Sequence, residues 1–561
     1  MINKINKRLV LTILLTAPGF LLLTNFLPQD KKATFSTFAF FLLFCFFNLV
    51  SKVLDFNENK FTTYNNLYTT SFLIIIYLIL ILFTQNYLLN FEIIDWDIPS
   101  YMVASNEIKN GYLPNETQWE SKGPVLIYMY YFVLKIVSGN FIYFKVANDL
   151  ILLLISLILF ATASVISKNK LIISSIPTFV FILFMSQPWA VSGYSELYAL
   201  VFISLGILIY KVKEFKFSYF LIGLMFSMST LVNQGTILFL LPLLIGIFGI
   251  ENYKNKLLKI FIGFTLPHLI FLYIYQINDL LNVYFATFVT IPISYTSANY
   301  SNLYELKVFM RSFFEFNPAL YFVLLIVFIL LLKSFFYKLH FLKGLIQNVE
   351  FLLVVTSLLF YFVASHNYYH HLLFFLYFIS LYISKTKFDV NFVFLISFVL
   401  LSVVSSVSVN GYSSYKNLKN IESVYENYPL RQLAIEIEKK EISNLEILAL
   451  DYNLLLHYLG QPNYSYIVHG TNFLEPYILS SLEEIRIIES DYLNSLKNKK
   501  PNVIICSEYM IVRGEVETQL IFPCNQDHLL DYYQLNTDIY FTENLNYYRD
   551  PYKEIKLFIK R

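Results

Sequence analysis

Apolar runs that are long enough, or nearly long enough, to cross a bilayer alternate with short polar connections from about residue 9 to residue 408. A helix needs about 20 mostly apolar residues to cross the hydrocarbon core. The pattern therefore predicts an α-helical polytopic membrane protein with about 13 transmembrane helices. The predicted spans are 9–27, 34–54, 69–90, 143–166, 171–189, 195–212, 217–233, 235–250, 258–277, 318–337, 350–366, 371–384 and 389–408.

The pattern changes near residue 410, where charged residues become frequent and the apolar runs become short. Runs such as Ile447–Leu450 and Val503–Cys506 alternate with helical patterns, which predicts a soluble C-terminal α/β domain. The predicted units are two N-terminal transmembrane helices in 1–68, a transmembrane catalytic module in 69–408 whose first outer loop covers 91–142, and the α/β domain in 409–561.

The composition agrees with membrane insertion. Of 561 residues, 57% are hydrophobic and 14% charged, and the mean hydropathy is +0.56, which is far too apolar for a soluble protein of this length. A net charge of +2 without a basic tract gives no sign of nucleic-acid binding. Three cysteines exclude a disulfide framework. Cys506 and Cys524 share the C-terminal domain, and both a disulfide and two free thiols remain open.

Lysine and arginine gather in alternate connections, at 4–8, 168–170, 211–216, 254–259, 333–343 and 385–387. Such residues favour the cytoplasmic side, so the N-terminus is predicted inside, and the first outer loop and the C-terminal domain outside. The short apolar stretch 123–137 would reverse this arrangement if it crossed the membrane. It is therefore predicted to be a re-entrant or interfacial helix on the outer face.

The first outer loop holds the candidate chemistry. It begins with Asp95-Trp96-Asp97, and about 25 residues later it reaches Lys122. A carboxylate at the membrane surface can accept a proton from a hydroxyl or help to bind a divalent cation, and a lysine can bind phosphate. Two acids in a solvated helix cap are the alternative interpretation. The other acids of the loop are expected to be solvated: Glu107, Glu116 and Glu120.

The spacing within this loop adds a resemblance. Asp97 is followed by Tyr101 in DIPSY, then by NGYLP, and then by KGPVLIY, which begins at Lys122. In this order the loop resembles the lipid-dependent GT-C glycosyltransferases, in particular family 39 protein-mannosyltransferase-like proteins and aminoarabinose transferases. Their first outer loop reads D-E-x-x-Y, G-x-x-P and K-P-P-L-x-Y. Ile98 stands where the family often has glutamate, and Gly123 replaces the first proline.

Three later segments resemble the same family. Glu196 in GYSELYAL matches a second acidic residue, although an acid in the first turn of a helix is also favoured by the helix dipole. In STLVNQGT, Gln234 matches the family residue, while Asn233 replaces a lysine. His371 in NYYHHLLF matches a family histidine, and a structural, hydrogen-bonded histidine is the alternative.

The resemblance implies a GT-C type fold and a function. The donor would be a sugar on a polyprenyl phosphate in the bacterial cytoplasmic membrane, and the acceptor a hydroxyl of a glycan, lipid or protein. Asp97 would be the general base in an inverting transfer, Asp95 a partner, Glu196 an orienting acid, and Lys122 the phosphate ligand. No metal is expected, although the two aspartates leave a divalent ion possible. Substrate or phosphate binding is further implied for Tyr101, Gln234 and His371.

Other functions fit many spans as well. A flippase or transporter of lipid-linked sugars would place charged groups near the middle of the bilayer, whereas here the acids gather at the outer surface. A polymerase or ligase of surface polysaccharide would rely on arginines in the loop 278–317, which contains only Arg311, expected on a solvated face. A membrane-anchored scaffold would leave the pattern from Asp97 to Lys122 unexplained.

Overall fold

The computed structural model describes residues 63–561 except 168–170, 191–192, 213–214, 249–250, 298–302, 340–347, 364–367, 386–389, 471, 473–474, 507–509, 513–514, 518–528 and 536–554. The predicted spans 9–27 and 34–54 lie outside the described residues. The same is true of Cys524, and therefore of the pairing considered for it.

Residues 63–419 are almost entirely helical where they are described. Three 3₁₀ segments (Asn86–Leu88, Gln234–Phe239, Tyr369–Leu372) and a π-helical turn (Ala286–Thr290) interrupt the α-helices. The α-helices are α1 (Thr63–Gln85), α2 (Asp97–Lys109), α3 (Pro124–Ile136), α4 (Phe141–Ile166), α5 (Leu171–Phe184), α6 (Ser195–Val212), α7 (Ser218–Val232), α8 (Leu240–Phe248), α9 (Tyr253–Ile277), α10 (Leu281–Phe285), α11 (Ile291–Ser297), α12 (Leu303–Phe316), α13 (Pro318–Leu339), α14 (Val349–Val363), α15 (Leu373–Ile383) and α16 (Val390–Lys419).

Many of these helices are apolar, and the chain is an integral membrane protein. Within the described residues, four helices are long and apolar enough to cross a membrane, and eight shorter ones are also apolar. The predicted count of about 13 spans stays a prediction. The long helices are Thr70–Leu88, Phe141–Ile166, Ser195–Val212 and Tyr253–Ile277.

The surface of α9 shows why hydrocarbon is the natural solvent of this fold. Phe261, Leu269 and Tyr273 are each more than half exposed on this helix. An apolar strip of this kind on a soluble protein would cause association. In a bilayer it contacts lipid chains at no such cost.

The connections of the helices separate into two ends. At one end, the buried Glu350 at the start of α14 forms ion pairs with Lys211 and Lys385. These lysines belong to two connections that the sequence assigns to the cytoplasmic side, and the shared partner shows that they lie together. The first outer loop lies at the other end, with the start of α6 and the segment Tyr369–Leu372.

The C-terminal part combines short helices with a small sheet. Four strands form a mixed sheet in the order β1-β2-β6-β5, in which β1 and β2 are parallel and the other pairs antiparallel; β3 and β4 form a separate hairpin. The predicted domain boundary at residue 409 lies within α16, and the division into domains stays a prediction. The elements are α17 (Ile421–Glu426), α18 (Pro429–Glu438), β1 (Ile447–Ala449), α19 (Leu454–Leu459), α20 (Pro476–Glu484), α21 (Tyr492–Asn498), β2 (Val503–Cys506), β3 (Met510–Val512), β4 (Glu515–Glu517), β5 (Tyr532–Leu535) and β6 (Lys556–Lys560).

The C-terminal part packs directly on the first outer loop. Trp119 forms a parallel bridge with Ile467: its backbone N–H donates to Tyr466 over 2.7 Å, and its carbonyl accepts from Val468 over 3.2 Å. The Trp119 indole N–H donates to Thr287 Oγ1 over 3.0 Å. Trp119 is fully buried. The loop, the segment around Thr287 and the C-terminal part therefore meet around one aromatic side chain.

Candidate functional site

A cavity of about 270 Å³ lies where the first outer loop, α11, the segment Tyr369–Leu372 and the C-terminal part come together. This volume is near the lower end of the range of small-molecule sites. Its wall combines acidic, basic and apolar side chains. It contains all the sequence-predicted site residues except Glu196: Asp95, Asp97, Tyr101, Lys122, Gln234 and His371.

Asp97 is the first residue of α2, and its carboxylate is held from two sides. Tyr101, one turn later on the same helix, donates to Oδ2 over 3.0 Å. His469 Nε2 lies 3.0 Å from Oδ1. Burial alone would raise the pKa of Asp97, but the hydrogen bond and charge of His469, with the charges of His370 and Lys122, lower it well below its usual range. Asp97 is therefore ionised at every physiological pH.

Asp95 has a different environment two residues earlier. Its Oδ2 accepts from the Tyr194 hydroxyl over 2.7 Å, and its Oδ1 accepts from the backbone N–H of Asp97 over 3.0 Å. Burial, followed by the negative charge of Asp97, raises the pKa of Asp95. The two carboxylates are thus driven apart in acidity, and Asp97 is the more acidic of the two. Asp95 holds the start of α2 in place.

Lys122 lines the cavity, and its charge is one cause of the lowered pKa of Asp97. Gln234, predicted to bind substrate, lies beside it. The side-chain amide of Gln234 donates to the carbonyl of Ser121 over 3.0 Å and to that of Thr287 over 3.4 Å. Gln234 therefore fixes the backbone that immediately precedes Lys122.

Packing explains why glycine stands at position 123, where the family has proline. A Cβ built on this residue would lie 1.9 Å from the carbonyl oxygen of Leu231, at the end of α7. Its backbone N–H also donates to the carbonyl of Val232 over 3.3 Å, which proline could not do. Close contact between two backbones thus places Lys122 over the cavity and starts α3 at Pro124.

Gly123→Ala is expected to destabilise the protein, because the methyl group would overlap a backbone carbonyl that cannot rotate away. Overpacking of this kind costs about 1–3 kcal/mol, and thermal unfolding in detergent would measure it. Gly111→Ala is the matched control: a Cβ there meets nothing within 4 Å, and only its positive φ of 92° opposes the substitution. A Gly123→Ala protein that is as stable as wild type would contradict the packing cause.

Glu196 lies in the first turn of α6, next to the cavity wall. Its Oε1 accepts from Asn233 Nδ2 over 3.0 Å, and Asn233 also donates to Ser195 Oγ over 3.2 Å. The asparagine that replaces the family's lysine is therefore the hydrogen-bond partner of the buried Glu196. These contacts join the start of α6 to the end of α7.

Glu196 also shares a cluster with two histidines. Ligand atoms of Glu196, His370 and His371 all lie within 4.8 Å of one another, and all three residues are buried. Two imidazoles and one carboxylate form a donor set that suits zinc and related ions. These three residues could hold such an ion. The carboxylates of Asp95 and Asp97 instead accept hydrogen bonds from protein groups. The ring of His371 packs edge-on against Phe360, with 5.7 Å between centroids.

Two findings correct the sequence analysis. The prediction that the other acids of the loop are solvated is wrong for Glu107 and Glu120, which are 5% and 2% exposed. Glu107 accepts from Thr117 Oγ1 over 2.7 Å. Glu120 lines the cavity, where burial raises its pKa. Arg311 is exposed on α12, as expected.

Sequence reasoning missed the contributions of the C-terminal part. His469, Glu475 and Tyr477 line the cavity from that side. His469 is separated from Asp97 by 372 positions, and it carries no motif. Ile467, two residues before His469, pairs with Trp119 of the first outer loop. This pairing brings His469 to the site, and the sequence alone gives no sign of it.

Comparisons with known proteins bear on the fold. No protein-family model matches the chain, and no curated protein is similar to it in sequence. Two crystal structures of ArnT from Cupriavidus metallidurans are similar to it. The one bound to undecaprenyl phosphate has a TM-score of 0.51 and 12% identity, over 78% of this chain and 93% of that chain. The apo structure has a TM-score of 0.40 and 11% identity, over 79% and 93%. The GT-C fold that the resemblance predicts is confirmed: this chain has the fold of an aminoarabinose transferase.

Proposed function

We propose that the protein is an inverting glycosyltransferase that moves a sugar from a polyprenyl-phosphate donor to an acceptor hydroxyl. The reaction would take place at the outer face of the bacterial cytoplasmic membrane. The observation that carries this proposal is an ionised carboxylate, Asp97, in one cavity with a lysine, Lys122. The fold supports it, since the ArnT structure with this fold was solved with undecaprenyl phosphate bound.

The surroundings of the cavity suit a lipid-linked donor. Ile291, Pro292 and Phe360 form an apolar part of its wall. Val363, at the end of α14, lines the cavity and is also 50% exposed. Ile293, which follows Pro292 on α11, is 63% exposed. An isoprenoid chain could thus lie on the outer apolar surface while its phosphate reaches Lys122. Nucleotide sugars are absent outside the cytoplasmic membrane, so an outward-facing site needs a lipid-carried donor.

The proposed reaction is a single displacement. The acceptor oxygen forms a bond to the anomeric carbon from the face opposite the phosphate, and the bond from that carbon to the phosphate oxygen breaks. Its electron pair stays on the phosphate, where Lys122 stabilises the charge. The hydroxyl proton passes to Asp97. Each carboxylate oxygen has two lone pairs, so Asp97 can accept it while Tyr101 and His469 remain bonded.

The other predicted residues act through these two in this proposal. Asp95 and Tyr101 orient Asp97, and Gln234 orients the backbone of Lys122. His371 lines the cavity in which the sugar or acceptor lies. Glu196 lies behind that wall, where Asn233 holds its carboxylate, and it orients the sugar or acceptor through this contact. The acceptor is a glycan, lipid or protein.

The transfer is expected to need no divalent metal, because Lys122 supplies the positive charge at the leaving phosphate. Treatment of the purified protein with EDTA is therefore expected to leave the initial rate unchanged. A loss of activity that Zn²⁺ restores would contradict this, and would show that the cluster of Glu196, His370 and His371 holds an ion that the reaction requires.

Incubation of purified protein in proteoliposomes with synthetic polyprenyl-phosphate sugars tests the proposed function. Extracted cell-envelope material would serve as acceptor, and the same sugars on nucleotides as the control donor. We expect consumption of the lipid-linked sugar and none of the nucleotide sugar. If the intact lipid-linked sugar crosses the bilayer and none is consumed, the protein is a transporter and the proposal fails.

A further inference from the structure

The C-terminal part reaches the reacting carboxylate through one built contact. Residues 463–468 are hydrogen-bonded to the first outer loop at Gln118 and Trp119. Gln118 donates to the carbonyl of Asn463 over 3.0 Å and accepts from its backbone N–H over 2.8 Å. The backbone of Trp119 then bonds to Tyr466 and Val468. The next residue along, His469, then meets Asp97, and its side chain is 11% exposed.

A second tether holds the same segment against α2. The side-chain amide of Asn453 donates to the carbonyl of Val468 over 2.7 Å and to Ser100 Oγ over 3.3 Å. Ser100 lies one turn from Asp97 on that helix. The distance between His469 and Asp97 is therefore fixed by backbone and side-chain bonds on two sides, rather than by the flexible end of a side chain.

Charged groups surround the imidazole. Asp97, Glu120 and Asp95 face it from the first outer loop. The charges of Lys122 and His370 also act on Asp97, and Glu475 lines the same cavity. Burial lowers the pKa of His469, but the hydrogen bond to Asp97, then its charge, and then the charges of Glu120 and Asp95 raise it above its usual value. The neighbouring carboxylates therefore favour the cationic form of His469.

We infer that His469 is a positioning residue for sugar transfer: the C-terminal part supplies it to hold Asp97 oriented and ionised for the acceptor hydroxyl. This inference rests on the proposed function. Tyr101 fixes one carboxylate oxygen from within α2, and His469 fixes the other from a distant part of the chain. The outer part is then a component of the active site and not an appended module.

The pH dependence of the rate distinguishes this role from a structural one. Asp97 must be ionised to accept a proton, and burial raises its pKa unless an opposite charge offsets it. Without the His469 cation, the pKa of Asp97 rises, and activity is lost as the pH falls through this new, higher value. An opposite charge at this distance lowers the pKa of a carboxylate, so its removal is expected to decrease the rate most at acidic pH.

The test uses the full-length protein in proteoliposomes with a polyprenyl-phosphate sugar, and compares wild type, His469→Gln, His469→Ala and His457→Gln from pH 4.5 to about 9. Gln keeps an N–H donor without the charge. His457 is the matched control, because it is also buried in the C-terminal part and contacts Asn106 and the carbonyl of Gly139. Thermal unfolding of each variant monitors folding.

We expect the rates of wild type and His457→Gln to change in parallel with pH. The rate of His469→Gln relative to wild type is expected to fall toward the acidic end of the range, with an unchanged donor KM. Its rate is expected to approach that of wild type at alkaline pH, and His469→Ala to be slower than His469→Gln at every pH. A rate of His469→Gln relative to wild type that does not fall toward acidic pH overturns the inference. So does an equal loss at every pH that accompanies a lower melting temperature. A wild type that transfers nothing at any pH overturns the proposed function itself.

Discussion

Asp97→Asn is expected to reduce the rate of sugar transfer by about 10²–10⁴-fold, which is the usual contribution of a general base. The amide is nearly the same size as the carboxylate but cannot take the acceptor proton. It also places an N–H group among the donors Tyr101 and His469, which bond the carboxylate over 3.0 Å each. Because donor binding does not depend on this proton transfer, the donor KM is expected to change little. Initial rates in proteoliposomes would measure both constants.

Glu116→Gln is the matched control in the same loop. Glu116 accepts from the backbone N–H of Leu113 over 2.7 Å, and an amide oxygen can replace that contact. This variant is expected to transfer sugar at the wild-type rate. Equal rates for Asp97→Asn and wild type would exclude Asp97 as the base.

Lys122→Ala is expected to have the second largest effect, with a higher donor KM and a lower kcat. The lysine binds the phosphate in the ground state and stabilises the negative charge that grows when the bond breaks. Hydrogen bonds to charged groups contribute about 1.5–3 kcal/mol, which corresponds to about 10–150-fold in kcat/KM. Lys122→Arg is expected to recover only part of the loss, since the planar guanidinium presents its donors in a different geometry.

The control for charge is Lys109→Ala, at the exposed end of α2. It removes one positive charge from the same loop without altering the cavity, and it is expected to leave both constants unchanged. A parallel loss in Lys109→Ala and Lys122→Ala would mean that the loop attracts the donor by its overall charge. A Lys122→Ala protein with unchanged constants would remove the phosphate role.

Local spacing explains how much of the site the sequence could predict. Asp97 and Tyr101 are four residues apart, so a helix places them on one face, and the hydrogen bond between them follows. The resemblance also indicated the fold, which is confirmed. The alternation of apolar runs and basic connections predicted an integral membrane protein. It also assigned Lys211 and Lys385 to the same side, and both lysines pair with Glu350 in the structure.

The other features of the site depend on contacts between segments that are far apart in the sequence. The burial of Glu120 follows from packing of the C-terminal part on the loop, and no local pattern records that packing. His469 lies 372 positions from its partner. Glycine is required at position 123 because the residue contacts the backbone at the end of α7, and the sequence around position 123 does not show this contact.

A donor with two labels tests the central claim most directly. A polyprenyl-phosphate sugar carrying ³²P in the phosphate and ³H in the sugar would be incubated with wild-type proteoliposomes and acceptor. The predicted result is that all transferred ³H appears on the acceptor, while an equal amount of ³²P remains in free polyprenyl phosphate. Joint movement of both labels, either to the acceptor or across the bilayer in one intact lipid, would contradict it.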